Sequence, residues 1–242
     1  MGNNQSVKTL IFCITIFFFC AELAASGPEK SVSLEQQVSG LWLYTGLTTS
    51  TGEDLPLNGI FLLKDGEFVQ YAEFNGEPIK DQGARAHAGS YSIGEEFVEL
   101  EADQTFSTAP LESTPLKSLG ATNHHLAVQR SGDDLTLVFS KGTGTVQIFE
   151  RVGPGSGEIY KLENGALAFA DGYFILVDGN ENGVETGYGT YKKDQDAMTL
   201  NINRWTTADP YSASNAYDTS VKATFDGQSL TLEDGRSFQV SP

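Results

Sequence analysis

The sequence predicts an all-β protein that consists of two tandem antiparallel β-barrels, the second one shortened. The first reason is a repeat: Gly89–Pro110 returns 100 residues later as Gly189–Pro210, with glycine, tyrosine, leucine and proline in register. Repetition at a constant spacing identifies a structural unit. The second reason is a series of short alternating segments with turn dipeptides between them. The third is that no window shows the periodicity of an amphipathic helix.

The first barrel is predicted to contain eight strands. Asp65-Gly66 is a hairpin dipeptide between the second and third of them, and the Pro-, Ser- and Thr-rich stretch 105–122 is predicted to be a long loop. The strands are predicted over Gly40–Tyr44, Gly59–Lys64, Glu67–Phe74, His87–Ile93, Phe97–Ala102, His124–Gln129, Leu135–Ser140 and Thr145–Glu150.

The second copy is predicted to be incomplete. Asn164-Gly165 corresponds to Asp65-Gly66 at an offset of 99 residues, which is close to the 100 residues of the repeat. Nothing after the linker matches Gly40-Leu-Trp42. We therefore expect the second barrel to lack its first strand and to pack against the first barrel.

Composition divides the chain into five segments. The chain begins with one basic residue, an apolar run too short for a membrane helix and a group of small residues, which is the pattern of a secretory signal peptide. A glycine-rich stretch further on is typical of a flexible linker. The segments are a signal peptide (1–26), a lead-in (27–38), the first barrel (39–152), the linker (153–157) and the second, incomplete barrel (158–242).

The signal peptide predicts a secreted or periplasmic protein. The alternative is a bacterial lipoprotein that is lipid-anchored through Cys20, which the bulky run Phe17-Phe18-Phe19 disfavours, because such sites usually have small residues before the cysteine. Both cysteines, Cys13 and Cys20, lie inside the signal. The mature chain then has no disulfide, no thiol nucleophile and no thiolate metal site.

The charge of the chain excludes one class of partner and disfavours another. The 15 basic and 32 acidic residues give a net charge of −17, and nucleic-acid binding requires clustered Lys and Arg. An anionic membrane surface is disfavoured for the same reason. We predict no nucleic acid and no membrane span after signal cleavage, and the oligomeric state stays open.

The repeat indicates which face of each strand points inward, since both copies must agree. Val98, Leu100 and Ala102 alternate with acidic residues, and their counterparts in the second copy are also apolar, so this face is the inner one. The same comparison puts His124 inward. Aromatic walls with a few polar groups are typical of small-ligand pockets. The predicted ligand-binding residues of the first barrel are Trp42, Tyr44, Phe68, Gln70, His87, Tyr91 and His124.

The segment Gly40-x-Trp42, at the start of an eight-stranded antiparallel pattern, resembles the lipocalin family and its lipocalin-like relatives. The resemblance covers about 39–152. It implies that Trp42 closes the barrel floor and that a basic residue near the last strand, here Arg151, lies over it. Ala88-Gly-Ser-Tyr91 is similar to the central strand of bacterial lipocalin-like domains.

Three functions fit these observations. The first is a secreted, cofactor-free protein that binds a small, partly apolar ligand in the first barrel, because eight strands enclose room for one such molecule. The alternative is a cofactor-free isomerase, cyclase or lyase that uses His87, His124 and Tyr91, with one histidine as general base and Tyr44 or Tyr91 as hydroxyl donor. The third is a structural or interaction protein with filled barrels. The histidines have no close acidic partner on their face, so no metal site is predicted there.

A second metal hypothesis concerns Asp178–Gly183. Asp178, Asn180 and Asn182 followed by Gly183 have the spacing of a calcium loop, but Gly189 stands where a bidentate glutamate belongs. The alternative is a hairpin with an Asn-Gly turn, which we favour, and the sequence leaves calcium binding there open.

Overall fold

The computed structural model describes residues 32–74, 79–139, 141 and 144–242, of which 69% lie in strands and 3% in helices. The predicted signal peptide, with Cys13 and Cys20, lies outside these residues. None of the helices in the described part of the chain has both the length and the apolar character needed to cross a bilayer. The elements are α1 (Leu34–Val38), β1 (Gly40–Thr48), β2 (Asp54–Leu55), β3 (Leu57–Lys64), β4 (Glu67–Phe74), β5 (Ala84–Ile93), β6 (Phe97–Thr108), β7 (Leu116–Ser118), β8 (Thr122–Ser131), β9 (Asp134–Phe139), β10 (Val146–Gly153), β11 (Gly157–Leu162), β12 (Gly165–Ala170), β13 (Tyr173–Asn180), β14 (Gly183–Asp194), β15 (Ala197–Ala208), β16 (Ala213–Phe225), β17 (Ser229–Leu232) and β18 (Ser237–Gln239).

The first barrel is closed, as the sequence predicts. Its sheet runs β10-β9-β8-β6-β5-β4-β3-β1, and β1 pairs back onto β10, so every long strand has two neighbours. The short strands β2 and β7 are additions to this cylinder. The prediction of one long loop over 105–122 is wrong, because β6 continues to Thr108 and β7 pairs with its end. Only the segments around β7 are irregular.

A short helix closes one end of the first barrel. Ser33 and Gln36 form a reciprocal capping box that starts α1, and Val38 at its end accepts a 2.7 Å hydrogen bond from Nε1 of Trp42. The guanidinium groups of Arg130 and Arg151 lie 5.4 and 5.7 Å from the Trp42 ring centre. Arg151 therefore lies over Trp42 as predicted. The helix within the expected lead-in was missed, although Ser33-x-x-Gln36 is its sequence signal.

The second barrel has eight strands in chain order, β11 to β18. Its first and last strands meet at one bridge, between Leu162 and Val240, so the barrel is nearly closed. It spans fewer residues than the first barrel, which makes it the shortened copy. The expected loss of its first strand is wrong, because β11 occupies that position.

The two copies correspond at a different turn from the one that the sequence suggests. Asp65 and Gly66, with φ of 52° and 82°, have their counterparts in Asp171 and Gly172, with φ of 47° and 82°. Gly66 accepts a 2.8 Å hydrogen bond from the backbone of Tyr91, and Gly172 accepts a 2.9 Å bond from Tyr191. The turn before the repeated hairpin is therefore 106 residues apart in the two copies rather than 99.

The repeated glycine has a steric reason. A Cβ on Gly89 would lie 2.1 Å from the carbonyl oxygen of Glu101, and one on Gly189 would lie 2.0 Å from that of Asn201. Both glycines sit at a β-bulge, where the pairing shifts by one residue. The bulge brings the neighbouring backbone so close that only glycine fits.

A separate hydrophobic core lies between the two barrels and contains residues of both. The outer faces of β3, β4 and β5 pack against β12 and β13, so these outer faces carry apolar side chains such as Ile60, Val69 and Ala86. The hydroxyl groups of Tyr71 and Thr206 lie 3.0 Å apart across this contact. Residues Val32–Pro242 accordingly form one compact unit.

The linker between the barrels is held in place. The carboxylate of Asp171 accepts hydrogen bonds from the backbone of Gly155 at 2.7 Å and of Ser156 at 3.1 Å. The linker sequence suggests a flexible break, but these bonds fix it to a turn of the second barrel.

Candidate functional site

A cavity of about 70 Å³ opens at the end of the first barrel opposite α1. It is bounded by the last residues of β1, β4 and β9 and by the first residues of β3, β5, β8 and β10, which all lie at this end of the cylinder. A buried water needs roughly 10–15 Å³ by this kind of measure, so the space holds a small molecular fragment. Its lining consists of Tyr44, Leu47, Leu57, Gln70, Ala72, Glu73, Phe74, Arg85, His87, His124, Phe139 and Gln147.

Four of the predicted ligand-binding residues meet at this cavity: Tyr44, Gln70, His87 and His124. The Gln70 amide donates a hydrogen bond to the Tyr44 hydroxyl. Burial, the largest effect, raises the pKa of Tyr44, so its hydroxyl stays protonated at neutral pH. The imidazoles of His87 and His124 lie 5.9 Å apart, edge to face. The site thus combines hydrogen-bonding groups with aromatic walls.

His87 is the unusual member of the group. It is 6% exposed, and its Nδ1 atom has no hydrogen-bond partner among the described residues. Burial lowers the pKa of His87 to about 3, and the nearby His124 and Arg85 add to this effect. The imidazole is therefore neutral at physiological pH. Leaving a buried polar atom unpaired costs about 1–3 kcal/mol, so an unmet partner is expected here.

The side chain of His124 is positioned by two threonines and a phenylalanine. Its Nε2 lies 3.5 Å from the hydroxyl of Thr122, which in turn lies 2.7 Å from that of Thr105. Its ring packs edge-on against Phe139, with 5.2 Å between ring centres. Burial lowers the pKa of His124, and Arg85 lowers it further. Both imidazoles at the cavity are thus kept uncharged.

The rim of the cavity carries a residue that the sequence analysis missed. Arg85 is exposed and lies two positions before His87 on β5, hence on the same face of the strand. Arg85 lies two residues before the start of the predicted strand His87–Ile93, and a strand that began there would have included it. Phe74, which is 47% exposed, gives the rim an apolar side. A cation and an aromatic ring thus flank the entrance.

The other three predicted residues lie away from the cavity. Phe68 is fully buried beneath it, edge-on to His87 at 5.9 Å between ring centres. Trp42 and Tyr91 belong to the closed end, where the Tyr91 hydroxyl donates a 2.6 Å hydrogen bond to Glu35. Burial, followed by the bond to Glu35, raises the pKa of Tyr91 to about 12. The structure therefore separates Tyr91 from the two histidines, because it stands four residues along β5 from His87, toward the opposite end.

The inside of the second barrel is packed with side chains. Its predicted inner residues Met198, Leu200 and Ile202 are buried, and Tyr191 and Val221 pack against them. In the segment 178–183, residues 181 and 182 form the two-residue hairpin turn between β13 and β14, and Asn180 accepts a 2.9 Å hydrogen bond from the backbone of Asn182. No group of three acidic, histidine or cysteine side chains suited to a metal ion occurs in the part of the chain that the structure covers.

Comparison with known proteins adds no family to this description. No protein-family model, no curated protein and no solved structure matches the chain significantly.

Proposed function

We propose that this chain is a secreted or periplasmic β-barrel protein that binds a small, partly apolar molecule at the open end of its first barrel. The observation that carries the proposal is the buried Nδ1 atom of His87, which lies beside a cavity and has no hydrogen-bond partner among the residues that the structure describes. A ligand oxygen within hydrogen-bond distance of this atom would remove the cost of leaving it unpaired.

The lining suggests how the ligand would be held. Its polar head would enter between His87 and the Tyr44–Gln70 pair, where hydroxyl, amide and imidazole groups offer both donors and acceptors. Its apolar part would extend toward Phe74 and Phe139 at the rim. Arg85 at the entrance favours a head that accepts hydrogen bonds, and the one carboxylate among the described lining residues, that of Glu73, is paired with Arg204.

The geometry favours binding over catalysis. A general base works best when its pKa lies near the working pH, and burial keeps the pKa of His87 at about 3. Of the two hydroxyl donors of the alternative isomerase, cyclase or lyase mechanism, Tyr91 lies at the closed end of the barrel, and the Tyr44 hydroxyl already accepts a hydrogen bond from Gln70. The remaining pair of neutral imidazoles and a protonated Tyr44 suits recognition of a polar group.

The proposed relation to lipocalins rests on the closed end. A tryptophan at the start of the first strand and a basic residue stacked on it are what the resemblance implies, and Trp42 and Arg151 have that arrangement. The proposed location outside the cytoplasm rests on the apolar leader sequence.

Native mass spectrometry of the purified full chain tests the proposal. We expect a retained small molecule, or uptake of the apolar anionic dye anilinonaphthalene sulfonate, with one molecule bound per chain. His124→Ala should weaken dye binding about tenfold, which is the loss of one good hydrogen-bonding and packing contact. The matched control is Thr219→Ala, since Thr219 is the second-copy counterpart of His124 and is exposed.

Two results would contradict the proposal. One is a chain with neither a retained molecule nor a dye complex. The other is dye binding that Thr219→Ala weakens as much as His124→Ala does, because the dye would then not be in the first barrel.

A further inference from the structure

A second cavity, of about 260 Å³, lies between the two barrels. Asn58 and Glu73 line it from the outer face of the first barrel, and Asn203, Arg204 and Tyr217 line it from the second. It is larger than the cavity of the first barrel and its lining is mostly polar. Neither the ligand site proposed above nor the repeat accounts for it.

Arg204 is the residue that marks this cavity. Its side chain is 1% exposed, and its Nε lies 3.1 Å from a carboxylate oxygen of Glu73. Its Nη2 donates a 3.3 Å hydrogen bond to the backbone oxygen of Gln82. Its Nη1 has no hydrogen-bond partner among the described residues. A buried guanidinium with an unused donor is costly, and it points to a partner other than the described residues of the chain.

The strands are shaped so that their side chains reach this cavity. Asn203 is the extra residue of a β-bulge, since Tyr188 pairs with Arg204 while Gly189 pairs with Ile202. Bulges re-aim side chains and are frequent beside functional sites. The exposed amide of Asn203 is thereby brought to the same opening as the guanidinium of Arg204.

The charges at the cavity exclude a simple anion site. Arg204 is already paired with Glu73, and Asp218 adds a second carboxylate at the opening. The whole chain is acidic as well, with a net charge of −17. A sulfate or phosphate would therefore meet more negative than positive charge.

The lining instead suits a neutral molecule with many hydroxyl groups. The amides of Asn58 and Asn203, the carboxylate of Asp218 and Nη1 of Arg204 supply both acceptors and donors. The ring of Tyr217 is 45% exposed at the opening and offers an apolar surface for the C–H face of a sugar ring. We propose that this cavity is a saccharide-binding site, distinct from the ligand site of the first barrel.

Saturation-transfer difference NMR on the full chain tests this proposal. The probes are glucose, galactose, mannose, maltose, cellobiose and lactose, each at about 10 mM so that millimolar sites are occupied. We expect signals from at least one sugar and a loss of about tenfold in affinity for Tyr217→Ala and for Asn203→Ala. Tyr211→Ala is the matched control, because Tyr211 is a 91% exposed tyrosine that does not line the cavity.

Controls distinguish a loss of sugar binding from a loss of folding and from an effect on the first barrel. The exposed positions of Asn203 and Tyr217 leave the core intact, and circular dichroism checks that each variant folds. His87→Phe should leave the sugar signals unchanged, since that residue lines the other cavity. Absence of signals from all six sugars overturns the proposal, and so do signals that survive Tyr217→Ala. Binding of sulfate without binding of any sugar overturns it as well.

Discussion

Replacing His87 by phenylalanine should stabilise the protein and abolish binding in the first barrel. The substitution removes the unpaired Nδ1 atom and keeps an aromatic ring between Phe68 and His124. An unpaired buried polar atom costs about 1–3 kcal/mol. The larger ring has room, since the cavity beside it measures about 70 Å³. We therefore expect the free energy of unfolding at pH 7 to rise by about 1–2 kcal/mol.

The gain should grow as the pH falls. The ordinary pKa of histidine is 6.5, and burial lowers the pKa of His87 to about 3. Between these two values His87 binds a proton in the unfolded chain but not in the folded chain. This group's contribution to stability is complete above pH 6.5 and is lost progressively as the pH falls toward 3. Near pH 4.5 the loss amounts to about 3 kcal/mol, at about 1.4 kcal/mol per pKa unit. The phenylalanine variant has no such loss.

Urea unfolding followed by tryptophan fluorescence, at pH 7 and near pH 4.5, measures both effects. Comparing the two chains at each pH cancels the titration of the carboxylates that they share. The contrary result would be a His87→Phe variant that is less stable than the original chain at pH 7, with a difference in unfolding free energy between the two chains that does not change with pH. The imidazole would then have a partner and an ordinary pKa, and its proposed role would have no basis.

Three further substitutions test the architecture. Gly89→Ala should destabilise the first barrel by at least about 2 kcal/mol, because its Cβ would lie 2.1 Å from the carbonyl oxygen of Glu101. An unchanged midpoint of thermal unfolding would show that the backbone at the bulge leaves room for a Cβ. Trp42→Ala should cost about 3–5 kcal/mol in urea unfolding, since the fully buried ring closes the barrel, and a loss below 1 kcal/mol would contradict that role. Asp171→Ala should cost about 1–3 kcal/mol by freeing the linker backbone at Gly155 and Ser156. Hydrogen exchange at those two amides should then accelerate, and unchanged protection would show that the carboxylate does not hold them.

The alternation of side chains along strands predicted most of the first barrel. It put Tyr44, Gln70, His87 and His124 on the inner face, and these four do meet. Alternation fixes the face of a strand but not the height along the barrel, which depends on strand tilt and register. For that reason Tyr91 shares the face of His87 and yet lies at the closed end, bound to Glu35.

The contact between the barrels was harder to predict. Segments such as 59–63 and 174–177 are apolar at successive positions, which indicates strands that are buried on both faces. Knowing that a face is buried does not identify what covers it. The ion pair of Glu73 with Arg204 depends on this packing, since the two residues are 131 positions apart in the sequence.

The ligand site of the first barrel is tested most directly by a crystal structure of the purified full chain, solved without added ligand. We predict density that is not water in the cavity between His87 and Tyr44, with an atom about 3 Å from Nδ1 of His87. Density for a protein side chain bonded to Nδ1, with the cavity filled by the chain itself, would contradict the proposed binding function.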